Sequence, residues 1–91
     1  MGKSILQTKR ECLICKTTLN LQEHHVFEGR NRQNSEKWGM KVWLCMNHHT
    51  GDEGIHLDEK KNKRLKAAAQ RVFEAKYGHD QFMKVFRRNY L

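Results

Sequence analysis

The sequence predicts an α+β fold in which a small zinc-stapled unit of two strands and a helical turn is followed by two C-terminal helices. Three observations lead there. All three cysteines and five of the six histidines fall in three short places: Cys12-Leu13-Ile14-Cys15, Glu23-His24-His25-Val26-Phe27, and the stretch from Cys45 through His56. The segments between them have strand character, and the last third of the chain is periodic at helical spacing. Finally, a chain of 91 residues buries only roughly 60–65 % of its unfolded surface, so its core is marginal and a metal is the available staple. One domain, 1–91, is expected, with the metal-bearing part at 12–56 and the helical part at 58–91.

Composition narrows the class further. An odd number of cysteines leaves one over in any purely disulfide framework, and no apolar signal segment stands at the N-terminus. The thiols are therefore expected to be reduced and the compartment cytoplasmic. No apolar run approaches the ~20 residues needed to cross a bilayer, and no lipidation signal is present, so no membrane partner is expected. Eighteen Lys and Arg against ten Asp and Glu give a net charge of +8, spread along the chain. Such a field attracts polyanions, nucleic acid foremost and anionic membrane surface second.

Residues 1–11 read as an extended arm. Cys12-x-x-Cys15 follows, a spacing that lets one ion be wrapped from a tight turn; a redox pair would want a βαβ context that the chain lacks. Residues 19–27 alternate loosely around Leu19, Leu21, Val26 and Phe27 and read as a strand. Gly29-Arg30-Asn31-Arg32-Gln33-Asn34-Ser35 is polar and turn-rich and reads as a loop. Residues 38–45 supply the aromatic and branched side chains of a second, antiparallel strand. Asn47 is a plausible cap for a helical turn carrying His48 and His49, interrupted by Gly51 and Gly54. Residues 58–77 form the longest helical pattern, with Leu65, Ala68, Ala69, Val72 and Phe73 recurring, and Gly78 where a helix would end. Asp80 reads as the N-cap of a last helix through Tyr90, with Phe82, Val85, Phe86 and Tyr90 on one stripe, as core or as a partner interface.

Cys45-x-x-His48 matches Cys12-x-x-Cys15 as the second half of a four-ligand site. Three thiolates and one imidazole suit tetrahedral zinc with no open position, which is a structural role. Adjacent side chains in a helical turn point about 100° apart, so His49 would look away from that ion and back at the strand carrying His24 and His25. This is the arrangement for a second metal with few protein ligands, which keeps positions open for water and phosphate.

The order Cys-x-x-Cys, strand with a His doublet, loop, second strand, then Cys-x-x-His-His resembles the HNH endonucleases of the ββα-metal fold, particularly small phage-type members. The resemblance covers about half the chain. It implies that His25 is the general base, that His24 and His49 are ligands of a catalytic divalent ion, and that a further ligand follows, His56 first and Glu53 second. It also implies hydrolysis of DNA phosphodiesters to a 5′-phosphate and a 3′-hydroxyl, in a bacterial host cell if phage-encoded. Imidazole ligands admit Zn2+, Ni2+, Mn2+ or Co2+, while Mg2+ prefers oxygen, so the residues do not distinguish the ion. Where the family's middle Asn usually stands, this sequence has Met40, with Asn34 and Asn47 nearby.

Arg30, Arg32, Lys37 and Lys41 are the expected phosphate contacts, ahead of the lysines of the long helix, and such contacts are sequence-independent. Two other readings use the same residues. A zinc-binding nucleic-acid-binding module that cuts nothing explains Cys12, Cys15, Cys45 and His48 but not the other histidines. An adaptor, or a homodimer, would use the C-terminal helices to dock a protein partner.

Overall fold

The alternating and apolar stretches do become two strands. In the computed structural model, which describes residues 4–51, Gly54 and 58–91, β1 is Leu21–His25 and β2 is Lys41–Cys45. They pair antiparallel, with Leu21 opposite Cys45, Glu23 opposite Trp43, His24 opposite Val42 and His25 opposite Lys41. Residues directly opposite share a face, and faces alternate along each strand. Glu23, His25, Lys41 and Trp43 therefore lie on one face, and Gln22, His24, Val42 and Leu44 on the other. The N-terminal arm runs beside β2 and occupies its outer polar groups. The Ile5 N–H donates to Gly39 O, the Trp43 N–H donates to Gln7 Oε1, and the Leu13 N–H donates to Trp43 O. An edge that would otherwise be open to pairing is thus covered.

The stretch expected as a loop is helical. A 3-10 turn, Gly29–Asn31, leads into α1, Arg32–Trp38. Its turn-forming side chains are spent on distant backbone. Ser35 Oγ donates to Phe27 O at 2.7 Å and accepts from the Phe27 N–H at 3.1 Å, while Asn31 and Asn34 donate to Phe86 O and Val85 O, each at 3.1 Å. Gly39, in the left-handed region at φ 72°, ends the helix. Trp38, expected in the second strand, instead closes α1 and packs its ring on Phe73 and Tyr77.

The turn after β2 is α2, Met46–His49, and its N-cap is Cys45, with Asn47 inside the turn and not capping it. The long helix α3, Glu59–Tyr77, begins as expected at Asp58, whose side chain accepts the Lys61 N–H. α4 is His79–Phe86, capped by Gly78; Asp80 sits in its first turn. It stops four residues short of Tyr90, because Arg87 adopts a left-handed conformation at φ 59°. No helix among the described residues is long and apolar enough to cross a membrane.

The core joins the two halves. Val26, Phe27 and Met40, at the inner ends of the strands, pack with Ala69 and Phe73 of α3 and Phe82 and Phe86 of α4. The C-terminal stripe is therefore core, with Phe82 and Phe86 buried and Val85 and Tyr90 packed against them. Gln70, 0 % exposed, holds the tail in place. Its amide donates to Glu74 Oε2 and to Asn89 Oδ1, and its carbonyl accepts the Tyr90 N–H, all at 2.7 Å.

Truncating Gln70 leaves a buried cavity and a donor without its acceptor. Such losses cost about 2 kcal/mol, so Gln70→Ala should lower the melting temperature by about 10 °C in a domain this size. A change under about 3 °C in a thermal circular-dichroism scan would show that the tail is held by its rings alone.

Candidate metal centre and adjoining histidine clusters

The first ligand pair is shaped by its own backbone. The Lys16 N–H donates to Cys12 O at 2.9 Å and the Cys12 N–H to Thr17 O at 2.8 Å. Lys16 takes a positive φ of 66° to complete the turn. The second pair is set by the junction of β2 and α2: Cys45 ends the strand, and His48 reaches back to it from within the helical turn. Cys15 Sγ and Cys45 Sγ lie 3.8 Å apart, and His48 Nδ1 lies 3.7 Å from Cys12 Sγ and 3.1 Å from Cys45 Sγ. Around a tetrahedral zinc with its usual bond lengths, sulfurs would sit about 3.8 Å apart and sulfur and nitrogen about 3.6 Å. All four donors lie within 4.8 Å of one another, and none of the cysteines is in a disulfide. The four residues form a cluster able to hold a metal ion such as zinc.

The thiols differ in their readiness to ionise. Burial pushes the Cys12 thiol up, but backbone N–H groups of Cys15, Cys45 and Ile14 outweigh it and bring it down from 9.0 to about 6. At Cys15 the Thr17 backbone works downward, while burial and the neighbouring Cys12 and Cys45 side chains carry the net shift upward. Crowded sulfurs of this kind are relieved when a cation takes the place of their protons.

His49 does turn away from this cluster. Its ring meets that of His24 at a centroid separation of 5.3 Å and an interplanar angle of 68°. Two imidazoles on one tetrahedral ion would have centroids about 5 Å apart, from nitrogen–metal bonds of about 2.0–2.1 Å. His49 Nδ1 lies 2.6 Å from Gln22 Oε1. An amide oxygen only accepts, so Nδ1 carries the proton in this contact. His24 is buried, at 2 % exposure, beneath this pair. Among the described residues no third ligating side chain joins them; His56 and Glu53 lie outside the described residues.

His25 goes elsewhere. Strand alternation sends it to the opposite face, where its Nε2 lies 3.1 Å from Glu36 Oε1. Lys41 Nζ lies 2.5 Å from Glu36 Oε2 and 3.3 Å from Glu23 Oε2. Hence Lys41, expected to contact phosphate, has a side chain only 5 % exposed and is spent on two carboxylates; that expectation is corrected. Burial works against its ammonium, but Glu36 and Glu23 raise its pKa on balance. Lys41 and then His25 hold Glu36 down to about 2 from its ordinary 4.5. Arg30, Arg32 and Lys37 are exposed.

Glu36 lies just past the stretch 29–35 that reads as a loop, and only the helix α1 brings it to the strand. Once α1 is seen, the signal is plain: a carboxylate one turn from a helix end, facing a strand that carries His and Lys. Met40, where the resemblance would place an Asn, is fully buried core, and Asn34 donates to Val85 O of α4. No family model matches this chain, and no characterised protein or solved structure matches it either.

Two outcomes are expected of these clusters. The purified chain should hold one tightly bound zinc, Cys45→Ser should lose it, and chelation should cost the native circular-dichroism spectrum; a metal content near zero in the folded wild type would remove the site. For Glu36, a carboxylate depressed on folding stabilises the chain above its unfolded pKa and loses that contribution as pH falls towards the folded one. Glu36→Gln should therefore melt below wild type at pH 7, and the gap should narrow below pH 4.5. A gap that does not change with pH would show that Glu36 acts by shape and not by charge.

Proposed function

We propose that the chain is a metal-dependent endonuclease that hydrolyses DNA phosphodiester bonds, with a second divalent ion held by His24 and His49. The observation that carries this reading is the approach of those two rings at 5.3 Å, next to a four-donor cluster that already suffices for a structural ion. The element order of β1, β2 and α2 is the one that the HNH resemblance implies. His56, or Glu53 in its place, would complete the ligand set. When bound, the ion would neutralise charge developing on a phosphate oxygen, as divalent ions do in phosphodiester hydrolysis.

The chain's own groups would do the rest. Gln22 holds the His49 ring in one orientation. His25, with Glu36 on its Nε2, presents Nδ1 to take a proton from water, and imidazole is suited to that at neutral pH. Glu36 thus takes the orienting part that the family's middle Asn has elsewhere. Because His24 and His25 leave β1 on opposite faces, the scissile phosphate would have to sit across the end of the strand to meet both.

The second reading is a zinc-stapled DNA-binding module without catalysis, and the placement of His25 with Glu36, away from His24 and His49, favours it. A supercoiled-plasmid assay with Mg2+, Mn2+, Co2+, Ni2+ and Zn2+ separates the two. Cutting is expected with at least one ion, reduced about 10²-fold or more by His25→Ala and abolished by His49→Ala, with the structural zinc retained in both. No cutting under any ion would leave the binding module, and full activity in His25→Ala would remove the general base.

A further inference from the structure

We propose that the groove between α1 and the C-terminal end of α4 binds the sugar-phosphate backbone of DNA. The inference rests on the nuclease reading for the identity of the polyanion. Arg30 and Lys37 from one end of the groove and Lys84, Arg87 and Arg88 from the other line a single cleft of about 820 Å³. All five are exposed. None of them takes part in the ion pairs among the described residues, which engage Lys41, Lys61 and Lys63 instead. One carboxylate, Glu28, shares the lining with these five cations, so positive charge is in excess there; cations in excess repel one another, and a polyanion removes that repulsion.

The groove is built, not incidental. Its two walls come from segments 55 and 51 residues apart, joined by the Asn31 and Asn34 side chains on the last carbonyls of α4. Those bonds fix the spacing of the cations before any ligand arrives, which lowers the cost of binding. Arg87 supports the same reading. It occupies the left-handed position at the end of α4, where glycine would be unstrained, so the chain accepts strain to keep a guanidinium there. Arg88 is held over the Tyr90 ring at 5.3 Å, so its plane is steadied without loss of its charge.

DNA fits better than an anionic bilayer. A bilayer meets a flat or convex amphipathic face that inserts apolar side chains, whereas here the cations surround a concavity. The wall is also shared with the histidine face. α1 contributes Lys37 to the groove and, one residue earlier, Glu36 to His25. A backbone seated in the groove is thereby held on the element that orients the proposed base.

The test is fluorescence anisotropy of a labelled 20-bp duplex with the full zinc-loaded chain, without other divalent ions, at about 0.1 M salt. Lys84→Gln/Arg87→Gln/Arg88→Gln should weaken binding about 10²-fold and flatten the salt dependence by about 2 to 3 in log–log slope, as three lost phosphate contacts require. Lys60→Gln/Arg64→Gln/Arg71→Gln, which removes the same charge from α3 outside the groove, should cost less than about 3-fold, since only the long-range field changes. Arg87→Gly should weaken binding while keeping or raising the melting temperature, which rules out misfolding as the cause. Equal losses in the two triple variants, or a groove variant that loses phosphatidylserine vesicles but keeps DNA, would overturn the proposal. Groove-dependent binding by a chain that cuts nothing supports the groove and sinks only the nuclease reading. Undiminished duplex affinity in the groove variant sinks the groove, whatever the chain cuts.

Discussion

Cys15 and Cys45 are 30 residues apart in sequence and 3.8 Å apart at their sulfurs, and most of the N-terminal half depends on that closure. A two-stranded sheet is marginal in water by itself. Here the four-donor cluster ties the N-terminal turn to the end of β2, and the arm that precedes the turn lies along the strand's outer edge. The same junction starts α2, because Cys45 is at once the last residue of the strand, the helix cap and a candidate ligand. Loop-closure cost grows only slowly with length, so a single ion at this point can organise some thirty residues.

The sheet then divides its polar residues between two faces. On one, His24 sits under His49. On the other, His25, Glu23, Glu36 and Lys41 make a small charged network whose ammonium is almost wholly enclosed. A buried charge is tolerated only when paired, and Lys41 has two carboxylates and so satisfies the condition. The network also explains why α1 must be a helix. Glu36 has to reach the strand while Ser35 is buried against Phe27 and Asn34 turns towards α4, and successive residues pointing about 100° apart meet all three demands.

The C-terminal half supplies what the half with the Cys/His cluster lacks, a densely aromatic core. Phe27 from the strand region packs against Phe82 and Phe86 at ring separations of 5.5 and 4.6 Å. Side-chain amides then tie segments that have no regular pairing: Asn31 and Asn34 close the end of α4, and Gln70 fixes the tail. These bonds are few, but three of them satisfy backbone groups, Phe86 O, Val85 O and the Tyr90 N–H.

Local chemistry was enough for much of this. The two ligand pairs were legible from spacing alone, the first strand from its loose alternation, the second from its aromatic and branched residues, and α3 from its period and its Gly78 stop. That His48 and His49 part company followed from helical geometry before any coordinates. Three things were not legible, for related reasons. Residues 29–35 look like a loop because Asn, Ser and Gly favour turns when isolated, and only the backbone of Phe27 and α4 gives those side chains something better to bond. Lys41 looks like any surface lysine until α1 brings Glu36 to it. The cationic groove exists only because α1 and the end of α4 fold onto each other. The sequence by itself determined where ligands, strands and the long helix would be, since those depend on neighbours a few residues away. The tertiary structure alone decided which charges are neutralised and which are left facing outward, since that depends on partners tens of residues distant.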